Sequence, residues 1–163
     1  MITSLNMTLK LKQDAETKAT LEYLRNGGFD KDVRPAMDAA LRDFNGVHFA
    51  RVVVIDDQYI QVITEFDGDR KTYTDFFRQK LPGVFKVIFS LAEGAPDWDT
   101  LDNEETFYAL SSKANTKPLG TSLYEGNDDG YVFMAQHQTS VDEITKSLKL
   151  TDIFKGLRDF LQG

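Results

Sequence analysis

Residues 47–81, VHFARVVVIDDQYIQVITEFDGDRKTYTDFFRQKL, constrain the fold more than any other stretch. Val52, Val53, Val54 and Ile55 are β-branched and suit a pleated, half-buried surface. Asp56, Asp57 and Gln58 break the run, and Tyr59 to Phe66 restart it, which predicts a hairpin. With the turn placed at Asp57-Gln58, Ile55 faces Ile60, Val53 faces Val62 and Phe49 faces Phe66. Arg51, opposite Thr64, then interrupts an otherwise apolar face. His48, Ala50, Val52, Val54, Gln61, Ile63 and Glu65 fall on the other face. A one-residue slip would exchange the two faces. Gly68 lets the chain turn, and Asp69 is the expected N-cap of a helix carrying Tyr73, Phe76, Phe77 and Leu81. Pro82-Gly83 ends it or bends the chain.

The flanking sequence supplies the remaining elements. Leu5, Met7, Leu9 and Leu11 alternate with polar residues as in a half-buried strand. Residues 14–25 read as weakly helical, stopped by Gly27-Gly28. Val33, Met37, Ala40, Leu41 and Phe44 form a helical stripe that begins near Asp32, because Pro35 fits only its first turn. Val84, Val87, Ile88 and Leu91 predict a short helix ended by Gly94. An acidic loop with Trp98 follows, then a fourth strand over 106–110. Ser140 and Glu143 form a capping box, and Thr151 is read as the cap of a last helix.

The order strand, helix, strand, strand, helix, strand predicts an α+β ferredoxin-like fold. Its antiparallel sheet carries helices on one face. No linker or repeat divides residues 1–163, so they are read as one domain, with 111–163 an irregular and helical extension. The 163 residues contain no cysteine, which excludes disulfides and thiolate chemistry. The net charge of -7 leaves no basic stripe for nucleic acid. No segment is apolar enough for a membrane span or a signal peptide, and a cytoplasmic location is expected.

HFARVVVIDD, FDGD, Tyr73 and Phe76-Phe77 together resemble a segment of bacterial ferredoxin-like proteins of the dimeric α/β-barrel superfamily. That superfamily includes dye-decolorising haem peroxidases, chlorite-dismutase-like proteins and small monooxygenases. The resemblance implies a homodimer packed through the open sheet face. Val52, Val54 and Ile63 would supply its aliphatic patch. Residues 126–130 also match the GxxDG signature of the peroxidases, which by resemblance makes Asp129 an acid–base residue above haem. Neither His48 nor His137 stands in that family's proximal motif. Gly, Asn and Asp are turn-formers, so the segment is read first as a structural turn. Glu125, Asn127, Asp129 and Gly130 mimic half a calcium loop, but Gln136 stands where a bidentate glutamate is required, and no metal is expected.

The candidate ligand-binding residues are His48, Arg51, Tyr73, Asp129 and His137. Arg51 is read as the anion-binding group of a cleft between sheet and helices, and His48 as an acid, base or ligand on the open face. The function expected is small-molecule or partner binding without catalysis. The alternative is a small oxidoreductase, haem-dependent or cofactor-free. No cofactor is predicted, haem being the alternative.

Overall fold

The computed structural model describes residues 1–101, 103–125, 129–135 and 138–162. Three antiparallel strands, β1 (Ile2–Lys10), β2 (Val47–Ile55) and β3 (Tyr59–Asp67), form a sheet in the order β1-β3-β2. Helix α1 (Ala15–Tyr23) runs through a kink at Asn26 and Gly27 into α2 (Arg34–Phe44). Helices α3 (Arg70–Lys80), α4 (Pro82–Leu91) and α5 (Glu104–Ala114) follow the hairpin. A long helix, α6 (Val141–Gln162), comes last. The architecture is α+β, and among the described residues no helix is long and apolar enough to cross a membrane.

Alternation in the strands decides what the helices cover. Leu5 and Met7 of β1, and Ile60, Val62, Thr64 and Phe66 of β3, are all buried on one face. Phe66 stacks on Tyr73 of α3 with ring centroids 3.6 Å apart, and Tyr73 in turn touches Phe44 and Phe77. A second aromatic group, Phe85, Phe89, Trp98 and Phe107, seals α4 against α5. The acidic loop's tryptophan is therefore part of the packing around the core.

Several local expectations match the structure. Asp69 caps α3, its carboxylate accepting from the Thr72 amide at 2.9 Å. Those hydrogen bonds hold its carboxyl below the usual carboxylate range. Asp69→Ala is expected to cost about 1 kcal/mol of stability. A urea titration at pH 7 measures it, and the gap should shrink as pH falls through the lowered pKa of Asp69, because the cap is strongest when ionised. Pro35 lies in the first turn of α2. Ser140 and Glu143 exchange both capping hydrogen bonds at the start of α6.

Three expectations are overturned. The hairpin register differs by one residue: Val54 faces Ile60 and Val52 faces Val62. Asp56 and Asp57 both adopt positive φ, 50° and 54°, and the Gln58 amide closes the turn on the Ile55 carbonyl at 2.9 Å. Two left-handed residues match the strands' right-handed twist, which favours this turn over Asp57-Gln58. The faces exchange as a result. Val52 and Val54 pack toward the helices, while Phe49, Arg51, Val53 and Ile55 face the other way. The aliphatic patch expected on the open face from Val52 and Val54 is therefore not there. Residues 106–110 are helical, inside α5, and supply no fourth strand. The outer side of β1 instead meets two isolated bridges, Met7 with Asn115 and Leu11 with Ala92. Thr151 begins no helix, since α6 runs through it and its hydroxyl donates to the Ser147 carbonyl.

Candidate functional site

The excursion after α5 shapes the site. It leaves β1 where the Asn6 amide donates to the Asn115 side chain at 2.8 Å and the Thr116 amide to the Asn6 carbonyl at 2.8 Å. It then crosses the open face of the sheet. The Tyr131 amide donates to the Leu119 carbonyl at 3.0 Å, closing the excursion on itself. Gly130, at φ 71°, lies so close to Pro118 that a Cβ there would stand 2.6 Å from the proline ring.

Asp129 fastens this excursion to the sheet. It is 3% exposed. One carboxylate oxygen accepts from the Ser4 amide at 3.1 Å, and the other pairs with the guanidinium of Arg70 at the start of α3. Asp129 is thus a buried anchor joining β1, α3 and the excursion, which is more than the structural turn the sequence suggests. Gly126, Asn127 and Asp128 of the GxxDG match, and Gln136 of the calcium-loop match, lie outside the described residues.

Between sheet and excursion is a cavity of about 560 Å³. Its floor is Ile2, Ser4, Asn6 and Glu65, its rim His48 and Phe49, and its roof Pro118, Asp129 and residues 131–135. The pairing of Val47 with Phe66 and Phe49 with Glu65 leaves His48 as the extra residue of a β-bulge. A bulge re-aims a side chain, here bringing His48 and the neighbouring Phe49 into the same cavity. His48 Nε2 is 3.1 Å from Asp67 Oδ1, and its side chain is only 9% exposed. The other oxygen of Asp67 accepts from the Val141 amide at 2.7 Å, so one carboxylate holds both the histidine and the first turn of α6.

Glu65 has different surroundings. It hydrogen-bonds the Ser4 hydroxyl. Burial raises its carboxyl above the usual glutamate value, opposed by the Ser4 hydrogen bond and by the nearby His48. Aromatic side chains surround this polar floor. Tyr131 and Phe133 touch edge to face at 4.8 Å, and Phe49 and Phe133 are 77% and 91% exposed. Large aromatic surfaces left bare beside a half-buried carboxylate are a combination suited to a ligand.

Two of the five candidates, His48 and Asp129, line this cavity. Arg51 is on the open face opposite Ile63 and is exposed, so it does not serve a cleft between sheet and helices. Tyr73 is in the core. Burial raises its hydroxyl pKa strongly, opposed by the hydrogen bond with Thr64. The space against Tyr73 between sheet and helices is only about 30 Å³ and is lined by core side chains. His137 lies outside the described residues. Ser4, Glu65 and Asp67 were not among the candidates. The alternating polar residues of β1 and β3 place them on one face, but only the excursion, which has no regular period, turns that face into a cavity. Among the described residues no cluster of three His, Cys, Asp or Glu is arranged to hold a metal ion. No protein family, curated protein or solved structure matches the chain.

Proposed function

We propose that the protein binds a small molecule in the cavity on the open face of its sheet. The ligand class is a flat aromatic body carrying an amine or a similar hydrogen-bond donor. The half-buried carboxylate of Glu65 carries this reading, set among Phe49, Tyr131 and Phe133. Asp129 already has the Arg70 guanidinium beside it, and Asp67 already accepts from the Val141 amide and lies 3.1 Å from His48 Nε2. Glu65 has a hydroxyl partner, Ser4, and a cationic group on a ligand would complement it. The exposed rings offer stacking surfaces at the mouth and would add a cation–π contact.

A ferredoxin-like relationship is part of the same proposal. The order β1-β3-β2 supports it, as do the bridges of Asn115 and Ala92 on the side of β1 where a fourth strand would run.

Phenethylamine and phenylacetate serve as matched probes of opposite charge. Calorimetric titration at pH 7.5 is expected to detect the amine and not the acid. Glu65→Gln should weaken amine binding by about tenfold, the loss of one charge-assisted contact. Affinity for the amine should rise with pH through the raised pKa of Glu65, because only the ionised carboxylate attracts the cation. The free protein should respond in the opposite sense. A carboxyl with a raised folded pKa favours the fold below its ordinary value and loses that contribution as pH climbs through the folded one. Equal binding of both probes, or of neither, would refute the proposed ligand class.

A further inference from the structure

Helix α6 has no buried residue, and its C-terminal half carries an apolar stripe between charged side chains. Leu150, Ile153, Leu157 and Phe160 recur at spacings of three and four, one side of two successive heptads. They are 52–82% exposed. On the helix-covered side of the sheet there is an apolar groove of about 300 Å³ between the kinked segment after α1 and α4. Leu24 and Phe29 form one wall, Val87 and Leu91 the other, and Val54 the floor. Among the described residues Arg25 is the only charged one lining it. A groove between two helices, floored by a sheet, accepts an amphipathic helix presented at this spacing.

We infer that α6 of one molecule occupies this groove in a second copy, giving a symmetric dimer by reciprocal exchange. The chain's own α6 does not reach its own groove. Its first turn is held by Asp67, on the open face at the far end of β3. Ile60, which also lines the groove, faces the opposite side of the sheet. Seven residues of strand, about 24 Å, separate it from Asp67. A straight helix of about 33 Å starting on one face cannot pass through the sheet to the other. A second copy has no such restriction, and exchange fills both grooves at once in a closed twofold arrangement. The apolar stripe, extended by Phe154 and Leu161, offers about 700 Å² per helix from side chains of these sizes. Two such insertions reach the range of a stable protein interface. A lipid surface fits less well. Lys149, Lys155 and Arg158 are offset by Asp152 and Asp159, and the chain's net charge is -7.

Light scattering at tens of micromolar should give twice the 18.5 kDa chain mass. Leu157→Glu, on the helix, and Val87→Glu, on the groove wall, should each yield monomers with unchanged circular dichroism. Mixing the two variants restores one intact helix–groove pair, so a heterodimer should form, at least about tenfold weaker than the parent dimer. Because the chain lacks cysteine, Leu157→Cys and Val87→Cys proteins provide a second measurement that does not depend on the glutamate variant folding. Oxidation should cross-link them to each other and neither to itself. A monomeric parent protein overturns the inference, as does a dimer indifferent to Val87→Glu. Self-cross-linking of Leu157→Cys would mean that two α6 helices pair directly, and co-flotation of a monomer with phosphatidylserine vesicles would mean a membrane. Either result also overturns it.

Discussion

Phe66→Ala is expected to destabilise the protein by about 4 kcal/mol, the usual cost of emptying a fully buried aromatic site. Phe66 is 0% exposed and lies on the central strand. Its ring stacks flat on Tyr73, 9° from parallel, and Tyr73 with Phe77 forms the hub at which α3 meets Phe44 of α2. The alanine variant loses the buried area and the ring that fixes this hub. Urea unfolding should show a lower midpoint with an unchanged slope. The melting temperature should fall by about 10 °C for a chain of this size. Tyr73→Phe keeps the stack and removes only the hydroxyl near Thr64, so it should cost about 1 kcal/mol. A loss below about 1.5 kcal/mol in Phe66→Ala would mean that the site collapses around the missing ring, and that the aromatic hub is not what joins sheet to helices.

Asp129→Ala is expected to cost about 3 kcal/mol, since removing one member of a buried ion pair leaves the other charge without its neutralising partner. The Asp129 side chain is 2% exposed and that of Arg70 14%. The same carboxylate accepts from the Ser4 amide within β1, so the variant also leaves a strand hydrogen-bonding group without its acceptor. The effect should be local as well as global. Residues 118–125 and 129–135 should become sensitive to protease before the sheet does, and amine binding in the cavity should weaken with them. A double-mutant cycle with Arg70→Ala separates the pair from the rest: the two losses should fall short of adding. If Asp129→Ala costs under 1 kcal/mol, the excursion is held by its other fastenings at Asn115 and Tyr124.

Helix ends and strand periods were readable from the sequence because the physics behind them is local. Asp69 and the Ser140–Glu143 pair satisfy backbone groups within a few residues of themselves, and Pro35 removes an amide that the first turn of α2 would leave unpaired. The hairpin register was not readable in the same way. Asp56-Asp57 and Asp57-Gln58 are both acceptable turns by composition, and the choice rests on which valines the helices bury. Residues 106–110 contain Thr, Phe and Tyr and read as a strand by propensity alone. The helix signal was present around them, in Asn103 as cap and Glu104 and Glu105 in the first turn. Thr151 failed as a cap for a related reason. The stripe changes face near Leu150, which looks like a break between two helices but is one helix with two differently oriented apolar halves.

The site was legible to a smaller degree. His48 stood out as one of two histidines, but the bulge that turns it beside Phe49 leaves no mark in composition. Asp129 drew attention as a turn-former, whereas its partner Arg70 is 59 residues away in sequence. Such pairings are fixed only once the chain is folded. Glu65 is ordinary in sequence and becomes distinctive only when the excursion takes water from it.

The isolated bridges on β1 have a consequence for how the protein avoids misassembly. A three-stranded sheet has two free margins, each a row of amides and carbonyls able to recruit a foreign strand. On β1 the Asn6 amide and carbonyl are taken by Asn115 and Thr116, while the Lys10 carbonyl and the Lys12 amide are taken by Glu93 and Leu91. The stretch left between these stoppers is too short to template cross-strand growth. On β2 the bulge at His48 and the exposed Arg51 interrupt the opposite margin with a kink and a charge. The β1 margin is thus blocked without the cost of a fourth strand, and the β2 margin is interrupted at its start.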